Sequence, residues 1–465
     1  MASKAPAVPQ SSARLRQVVH VPSVLAGTAG LVAAVWATDR IATGSGRTYS
    51  YLVPSARPGF PQWMRGPLAG VSSQLSVHGF VVLLAVMSVA YIVVLVVAPH
   101  LPGRLVLAVV ALLVAMLAVA PPLLSTDVFN YVAYARMGVH GINPYAHGTV
   151  DFRHDPSYPY VGHFWNRTPT AYGPLFTLLS YAVVPLGVGA AMWAFKGVAA
   201  LATLGCVLLA WRIAPLIGRD RLRAAVLIGL NPLVLVWGVG GGHNDALVAL
   251  ALLAGTWLVL RERDAAGGAV IASAAAVKLS AGIVLPFLVL GGRRRVRVTL
   301  GIVAAGLVLL AIGLLAFGPE LRKMPDALKL QDRYGFGSIS LNGFPRQYLH
   351  LARAGHGTQQ AMKALFAGVS ALLATRCLWT RNWLAAAGWS TLVLLATMGW
   401  VLPWYVLWLL PLAALARSRT MIPATVAVTL AITGIWAAHY IQEAHHHPVH
   451  HHHHHHVRVR GPLGP

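Results

Sequence analysis

Acidic residues are scarce in this chain. Asp and Glu number 12 against 36 Lys and Arg in 465 residues, and all charged types together make 10%. A soluble domain carries about a quarter of its residues charged. With 57% of residues hydrophobic, too little polar surface remains to face water, which excludes an ordinary soluble domain. Cysteine is almost absent: Cys206 and Cys377 lie within or at the edge of apolar runs and offer neither a disulfide framework nor metal-ligand spacing. No GxGxxG after a strand, Walker loop, GxSxG or HExxH is present. Nucleotide-sugar or ATP chemistry therefore has no home. Period-2 alternation of useful length is also missing, which argues against a β-barrel.

What is present is a series of apolar runs, many of about 18 residues or more, long enough to cross a hydrocarbon core of about 30 Å. Their spacing predicts helices at about 21–38, 78–98, 104–124, 174–187, 190–212, 224–238, 245–260, 268–290, 299–317, 359–376, 383–401, 404–416 and 421–438. The expected fold class is an all-α polytopic membrane protein, a bundle of about 11–13 transmembrane or re-entrant helices. Residues 1–438 are expected to form one integral membrane domain, followed by a disordered His-rich tail at 439–465. No cleavable signal peptide is evident, and the first run, from near Val21, is expected to act as a signal anchor.

The formal net charge of +24 is distributed as short basic clusters between apolar runs. That is the positive-inside pattern rather than a nucleic-acid footprint. The clusters are Arg14 and Arg16; Arg104; Arg219, Arg221 and Arg223; Arg261 and Arg263; Arg293 to Arg295 with Arg297; Arg376 and Arg381; Arg417 and Arg419. Placing them in the cytoplasm puts loops at about 39–77, 123–173 and 318–358 on the outer face. The expected location is a plasma membrane, with an outward-facing active site in the polar loops. Strict alternation fails twice. The basic segments 261–264 and 291–297 are separated by a single apolar run, which contains Lys278. A hairpin of two half-helices, entering and leaving on the cytoplasmic side, would resolve this. The region 174–212, with Lys196 inside it, has the same parity problem and no firm solution from sequence.

With so few acidic residues, candidate bases can be enumerated. Asp39, Asp220, Glu262 and Asp264 flank helix ends near arginines, and Asp151, Asp155, Glu320, Asp326, Asp332 and Glu443 lie in loops or at the tail. Asp127 and Asp245 remain. Asp127 follows Ser125 and Thr126, either of which can cap a helix that begins with Asp127 in its first turn. Asn130 or Tyr131, and Tyr134, share its face, whereas Arg136 lies roughly opposite. The segment from Gly141 through Asn143 to Tyr145 reads as a turn. The competing reading is a dipole partner with interfacial tyrosines. Asp245 ends a glycine-rich stretch that also carries His243 and Asn244. A carboxylate, an imidazole and an amide so close to hydrocarbon are costly and mark function by default, although a capped turn is the plainer alternative. Lys278 costs about 2.5–3.5 kcal/mol at mid-membrane and needs an anionic partner, either Asp245 or a ligand phosphate. The aromatics of WVLPWYVLW, Trp404 and Tyr405 among them, straddle Pro403 between two apolar runs, and Tyr172 sits in TAYGP. Both groups are interfacial aromatics by default, with a sugar platform as the sharper reading.

Taken together, STDVFNYVAYARMGVHGINPY, the YGP after the first long loop, NPL…GHND, the buried Lys278 and LPWYVLW resemble the actinobacterial α-(1→6)-mannopyranosyltransferases. The resemblance spans about 120–410. It implies a GT-C-type bundle and an inverting glycosyltransferase. It also implies polyprenyl-phosphate mannose as donor and an α-1,6-mannan acceptor of lipomannan-type glycolipids on the outer face. By the same resemblance Asp127 is the general base, with Lys278, His243, Arg136 and Arg346 as candidate cations for the leaving phosphate. Asn130, Tyr131, Asn143, Tyr145, Tyr172, Asn244, Asp245, Trp404 and Tyr405 are further candidates to bind substrate. No DxD pair accompanies Asp127, so Asp245 is left as a possible partner in the role. No metal and no cofactor is expected, because no dense carboxylate cluster exists to hold a divalent ion. A transporter or flippase of a lipid-linked sugar is the competing class, and another polyprenyl-phosphate sugar the competing donor.

Overall fold

The structure is a computed structural model that describes residues 61–64, 66–67, 77–162, 165–326, 339–343 and 356–446. The anchor helix expected at 21–38, most of the 39–77 loop, Arg346 and residues 447–465 of the His-rich tail lie outside the described residues, whereas 439–446, expected to be disordered, continue the last helix to His446. The described residues are helices and their connections, with no strand among them.

Fourteen α-helices are described: α1 (Val77–Val97), α2 (Gly103–Val119), α3 (Asp127–Val139), α4 (Pro174–Tyr181), α5 (Gly187–Ile213), α6 (Arg221–Gly229), α7 (Asp245–Leu260), α8 (Asp264–Val277), α9 (Val284–Gly291), α10 (Arg295–Phe317), α11 (His356–Thr380), α12 (Trp383–Thr397), α13 (Val406–Leu415) and α14 (Met421–His446). Five helical segments are long and apolar enough to cross a membrane by themselves: Val77–His100, Val184–Ile217, Arg295–Asp326, Gly357–Thr380 and Met421–Gln442. The shorter apolar helices are packed among them. α7 and α8 lie together, α8 lies against α10, and α13 is wedged between α6, α7 and α12. The outer faces of α10 and α11 expose Leu300, Leu307, Leu315 and Leu372, the kind of surface that lipid covers.

Among the described residues, the arginine clusters gather at one end of the bundle. Gly103, beside Arg104, packs on the Trp211 ring. The Arg417 guanidinium donates to the Ile217 carbonyl (3.2 Å), and the Asn382 amide donates to the Arg417 carbonyl (3.4 Å). Arg294 pairs with Glu262 (2.8 Å), and Arg295 donates to the Leu378 carbonyl (3.4 Å). Ends distant in sequence thus meet at one level, as the positive-inside pattern requires. The opposite end carries the polar islands.

Both parity failures resolve. The apolar run 268–290 is broken at Lys278, whose backbone is extended between α8 and the 3-10 turn Leu279–Ile283. α8 starts beside Arg294 at the arginine end, Val277 reaches the polar end, and α9 returns to the arginine end at Gly291. The run is a hairpin, and Lys278 sits at its tip rather than midway along a span. In the 174–212 region, α4 is only eight residues, and it stays at the polar end with Tyr181 against Phe317. α5 alone crosses. Lys196, nine residues into α5, is fully buried and donates to the carbonyls of Leu117 (3.0 Å), Pro121 (3.4 Å) and Gly240 (2.5 Å). A buried cation has to be satisfied in this way.

The helix expected at 224–238 also departs from expectation. α6 ends at Gly229 because Pro232 cannot continue its hydrogen bonding, and the chain resumes as a π-helical turn, Val234–Val239. Asn231 there donates to Tyr91 (3.4 Å) and Thr429 (3.3 Å), which staples α6 to α1 and α14. The buried core surrounds this turn, with Trp237 at its centre and fully buried.

Candidate active site

The site forms where several helices stop at one level. α2 ends at Val119, and the connection to α3 is tied down by a bond from the Leu123 amide to the Gly240 carbonyl (3.0 Å). Lys196 holds both sides of that joint from below. α3 then opens with Asp127, whose amide donates to the Ser125 hydroxyl (3.1 Å). Of the two capping candidates, Ser125 is the one that engages. Among the described residues, the two carboxylates singled out from sequence stand in this one region.

Asp245 opens α7 and is fully buried. It accepts two bonds from the Lys278 ammonium (2.8 and 2.9 Å) and one from the Trp408 indole (2.6 Å). Lys278 also lies over the rings of Tyr405 (4.9 Å) and Trp408 (5.4 Å), which stack on each other with centroids 4.1 Å apart. The anionic partner of Lys278 is therefore Asp245, and its cationic face is framed by aromatics. The hairpin tip is fixed further by a bond from the Gly173 amide to the Val277 carbonyl (2.9 Å). A Cβ at Gly173 would stand 2.1 Å from the Ala276 carbonyl oxygen, so only glycine allows this approach.

His243 is fully buried, stacked on Trp404 with centroids 3.6 Å apart, and its Nδ1 stands 3.5 Å from Asp127 Oδ2. The preceding glycines serve the turn itself rather than a ligand. Cβ atoms at Gly240 and Gly241 would meet the carbonyls of Val236 and Trp237 at 2.1 and 2.5 Å. Tyr131 donates to the Asn244 side chain (3.4 Å), receives the Asn244 amide (3.3 Å), and meets Tyr172 edge-on at 4.8 Å.

Asp127 differs from Asp245 in being reachable: its side chain keeps 16% of its surface open, against none for Asp245. Removal from bulk water raises the Asp127 carboxyl to about 6; Lys278 opposes that rise and the neighbouring Asp245 adds to it. A carboxylate poised there can accept a proton near neutrality. Several polar atoms around it are buried without a partner in the protein: Asn130 Oδ1, both ring nitrogens of His243, Asn244 Nδ2 and Trp404 Nε1. Buried polar groups are normally satisfied, so this concentration marks a surface shaped for a polar ligand.

Three residues expected at the site stand elsewhere. Arg136 points away from Asp127 and grips Asp155 through Nε (2.9 and 2.8 Å) and Nη2 (2.8 Å), pinning the 146–162 loop. Nine helical residues separate it from Asp127, which places it on the opposite face. Asn143 donates to the Phe317 carbonyl (2.7 Å) and receives the Tyr145 amide (3.0 Å). Tyr145 is fully buried and donates to the Tyr172 carbonyl (2.8 Å). Asn143 and Tyr145 are thus struts behind Tyr172, and Arg136 is a strut of the loop. Two site residues were not singled out from sequence. Trp408 could have been found from its spacing, since three residues after Tyr405 puts it on the same face. Lys196 carried only the signal of a charge in an apolar run.

A family profile described as "Alpha-(1->6)-mannopyranosyltransferase, N-terminal domain" matches residues 24–294. Over 341 residues the chain is 31% identical to "Alpha-(1->6)-mannopyranosyltransferase A" of Mycobacterium tuberculosis, covering 67% of this chain and 65% of that protein. A protein of the same name from Corynebacterium glutamicum is 33% identical over 176 residues, 37% of this chain and 35% of its own length. A probable alpha-(1->6)-mannopyranosyltransferase of Mycolicibacterium smegmatis is 34% identical over 158 residues, 32% and 28% of the two chains. The chain thus spans 65% or less of the length of these curated relatives. No solved structure matches it.

Proposed function

Since the chain belongs to the alpha-(1->6)-mannopyranosyltransferase family, we propose that it transfers mannose from a polyprenyl-phosphate carrier to an α-1,6-mannoside acceptor, with Asp127 as general base. The observation that carries this reading is the difference between the two carboxylates. Asp245 is enclosed and committed to Lys278 and Trp408, whereas Asp127 keeps part of its side chain open and its carboxyl is raised to about 6. One carboxylate organises the site and the other is free to work on a substrate.

In the reaction, an acceptor hydroxyl attacks the anomeric carbon of the mannosyl phosphate while Asp127 takes its proton. The carbon–oxygen bond to the phosphate breaks on the opposite face, which inverts the anomeric centre. The leaving phosphate departs with the electron pair and needs a cation rather than an acid. Lys278, partly exposed at the hairpin tip, is the cation that this pocket presents. Tyr131, Tyr172, Asn244 and Trp404 supply aromatic and amide surface suited to sugar hydroxyls. A lipid-borne donor is supported by the apolar helices around the site and by the lack of a nucleotide-binding motif. No metal enters this scheme: Asp245 is already occupied by Lys278 and Trp408. An acceptor of lipomannan type and an outer plasma-membrane face follow from the same reading.

The test is mannose transfer from purified polyprenyl-phosphate mannose to a short α-1,6-mannoside, by wild type and Asp127→Asn. Loss of transfer with retained folding is expected. Near-normal turnover of Asp127→Asn removes Asp127 as base, and transfer from a different polyprenyl-phosphate sugar in preference to mannose removes the donor assignment.

A further inference from the structure

The geometry points to His243 as a positioning residue that holds and aims the Asp127 carboxylate, rather than as a ligand of the donor phosphate. This inference rests on the reading of Asp127 as base.

The His243 ring has little freedom. It lies flat on Trp404, the ring planes 16° apart, and a Cβ at Gly241 would stand 2.9 Å from its Cδ2 and Nε2. Fixed between them, the ring places Nδ1 3.5 Å from Asp127 Oδ2, and neither nitrogen has a hydrogen-bond partner in the protein. The charged groups around it are Asp127 from α3, Lys196 from α5 and Lys278 from the hairpin tip, with Asp245 behind Lys278. Burial, aided by the two lysines, lowers the His243 pKa well below its ordinary value, so the imidazole is neutral.

A neutral imidazole carries one N–H. Placed on Nδ1, that proton faces a carboxylate oxygen, and Nε2 becomes an acceptor. Such a ring brings no charge to a phosphate. A phosphate near Nδ1 would also meet the like charge of Asp127. The N–H instead favours the ionised form of Asp127, counters the rise that burial imposes, and holds Oδ2 beside the hydrogen bonds that Tyr172 and Ser125 give the same carboxyl. His243 itself neither gains nor loses a proton in the step. The separation is long for a hydrogen bond, and contacts of this kind tighten when substrate closes the site.

Four variants test the role: Asp127→Asn, His243→Phe, His243→Asn and His243→Gln, each with kcat, donor and acceptor KM, and a pH–rate profile. Phe keeps a flat ring on Trp404 without the N–H; Asn puts an amide N–H near the place of Nδ1, and Gln near that of Nε2. For His243→Phe, kcat is expected to fall about 10- to 100-fold, with both KM values within about threefold. Its acid limb should move to higher pH, because the carboxylate loses a donor. His243→Asn should recover most of kcat and bring the limb back, and His243→Gln should not. The role is overturned if His243→Phe keeps wild-type kcat and acid limb, if the loss falls on donor KM alone, or if Asn rescues no better than Gln. Should the Phe variant not fold, the Asn–Gln contrast decides. An inactive Asp127→Asn beside an unmoved His243 series sinks only the positioning role. An active Asp127→Asn sinks the base reading and this inference with it.

Discussion

Lys278 and Asp245, 33 residues apart in sequence, meet through both carboxylate oxygens at 2.8 and 2.9 Å. The contact joins the tip of a broken helical hairpin to the first residue of α7. Asp245 is fully buried, whereas Lys278 keeps part of its side chain exposed. Removing one member strands the other. Lys278→Ala should cost about 3–5 kcal/mol of stability, the usual consequence of leaving a buried charge uncompensated. Thermal unfolding in detergent would measure it. The double variant Lys278→Ala with Asp245→Asn should be more stable than Lys278→Ala alone, and donor affinity should be weakened in both. A Lys278→Ala protein as stable as wild type would mean that the pair contributes nothing.

Asp127→Asn is expected to lower turnover by at least about 100-fold, the lower end of what a positioned base contributes. Its unfolding should be little changed, since Asp127 makes no buried ion pair comparable to that of Asp245.

The pH dependence follows from the same group. A base must be deprotonated, and burial raises the Asp127 carboxyl to about 6. The kcat/KM for transfer should therefore rise with pH through about 6 and flatten above it. A flat profile from pH 5 to 7 would contradict the raised carboxyl.

Of the fold, the helices and their common basic end were legible in the sequence, because apolar period and arginine placement are local signals. The hairpin was legible too: two basic segments around one apolar run admit few solutions. The site was half legible. Asp127, His243, Asn244, Asp245 and Lys278 announced themselves as polar groups in apolar surroundings. Arg136, Asn143 and Tyr145 carried the same signal for a different reason. Their partners, Asp155, Phe317 and the Tyr172 carbonyl, lie 19, 174 and 27 residues away. No local pattern tells a strut from a ligand contact when the partner is that remote.

The Arg136–Asp155 pair gives an acid-dependent prediction outside the pocket. Burial acts to raise the Asp155 carboxyl, but the hydrogen bonds from Arg136 and Ser157 outweigh it and hold the group below its ordinary value. A carboxyl lowered in the fold stabilises it fully above the ordinary value of about 4. That stabilisation fades as pH falls through the lowered native value. Limited proteolysis of the 146–162 loop should therefore accelerate in acid for wild type. In Arg136→Ala it should already be fast at pH 7. Donor affinity in Arg136→Ala should stay within about twofold; a large loss would return Arg136 to the binding site.

Gly173→Ala should be disproportionately damaging for so small a change. The added methyl would sit 2.1 Å from the Ala276 carbonyl, so the outer loop must part from the hairpin tip. A cost of about 1–3 kcal/mol is expected, together with lower turnover, because Lys278 moves with the tip. Unchanged melting and activity would mean that the approach is looser than 2.1 Å implies.

Chelation is expected to leave transfer largely intact. The carboxylate that could have shared a divalent ion with Asp127 already accepts three bonds, two from Lys278 and one from Trp408. Complete loss in EDTA, restored by magnesium, would contradict this.

The helices that meet at the site are short. α7 has 16 residues, about 24 Å at a rise of 1.5 Å per residue, against a hydrocarbon core of about 30 Å. Set in a bilayer, a helix this short would leave Asp245 and its neighbours in a dent below the plane where a full-length span surfaces. On the proposed reading, a carrier lipid would have no need to climb out of the bilayer to reach them. Its phosphate would rest at headgroup depth with the chain still solvated by neighbouring tails, and only the sugar would tip over the rim. The mannan end of the acceptor would make the opposite journey and come down to meet it.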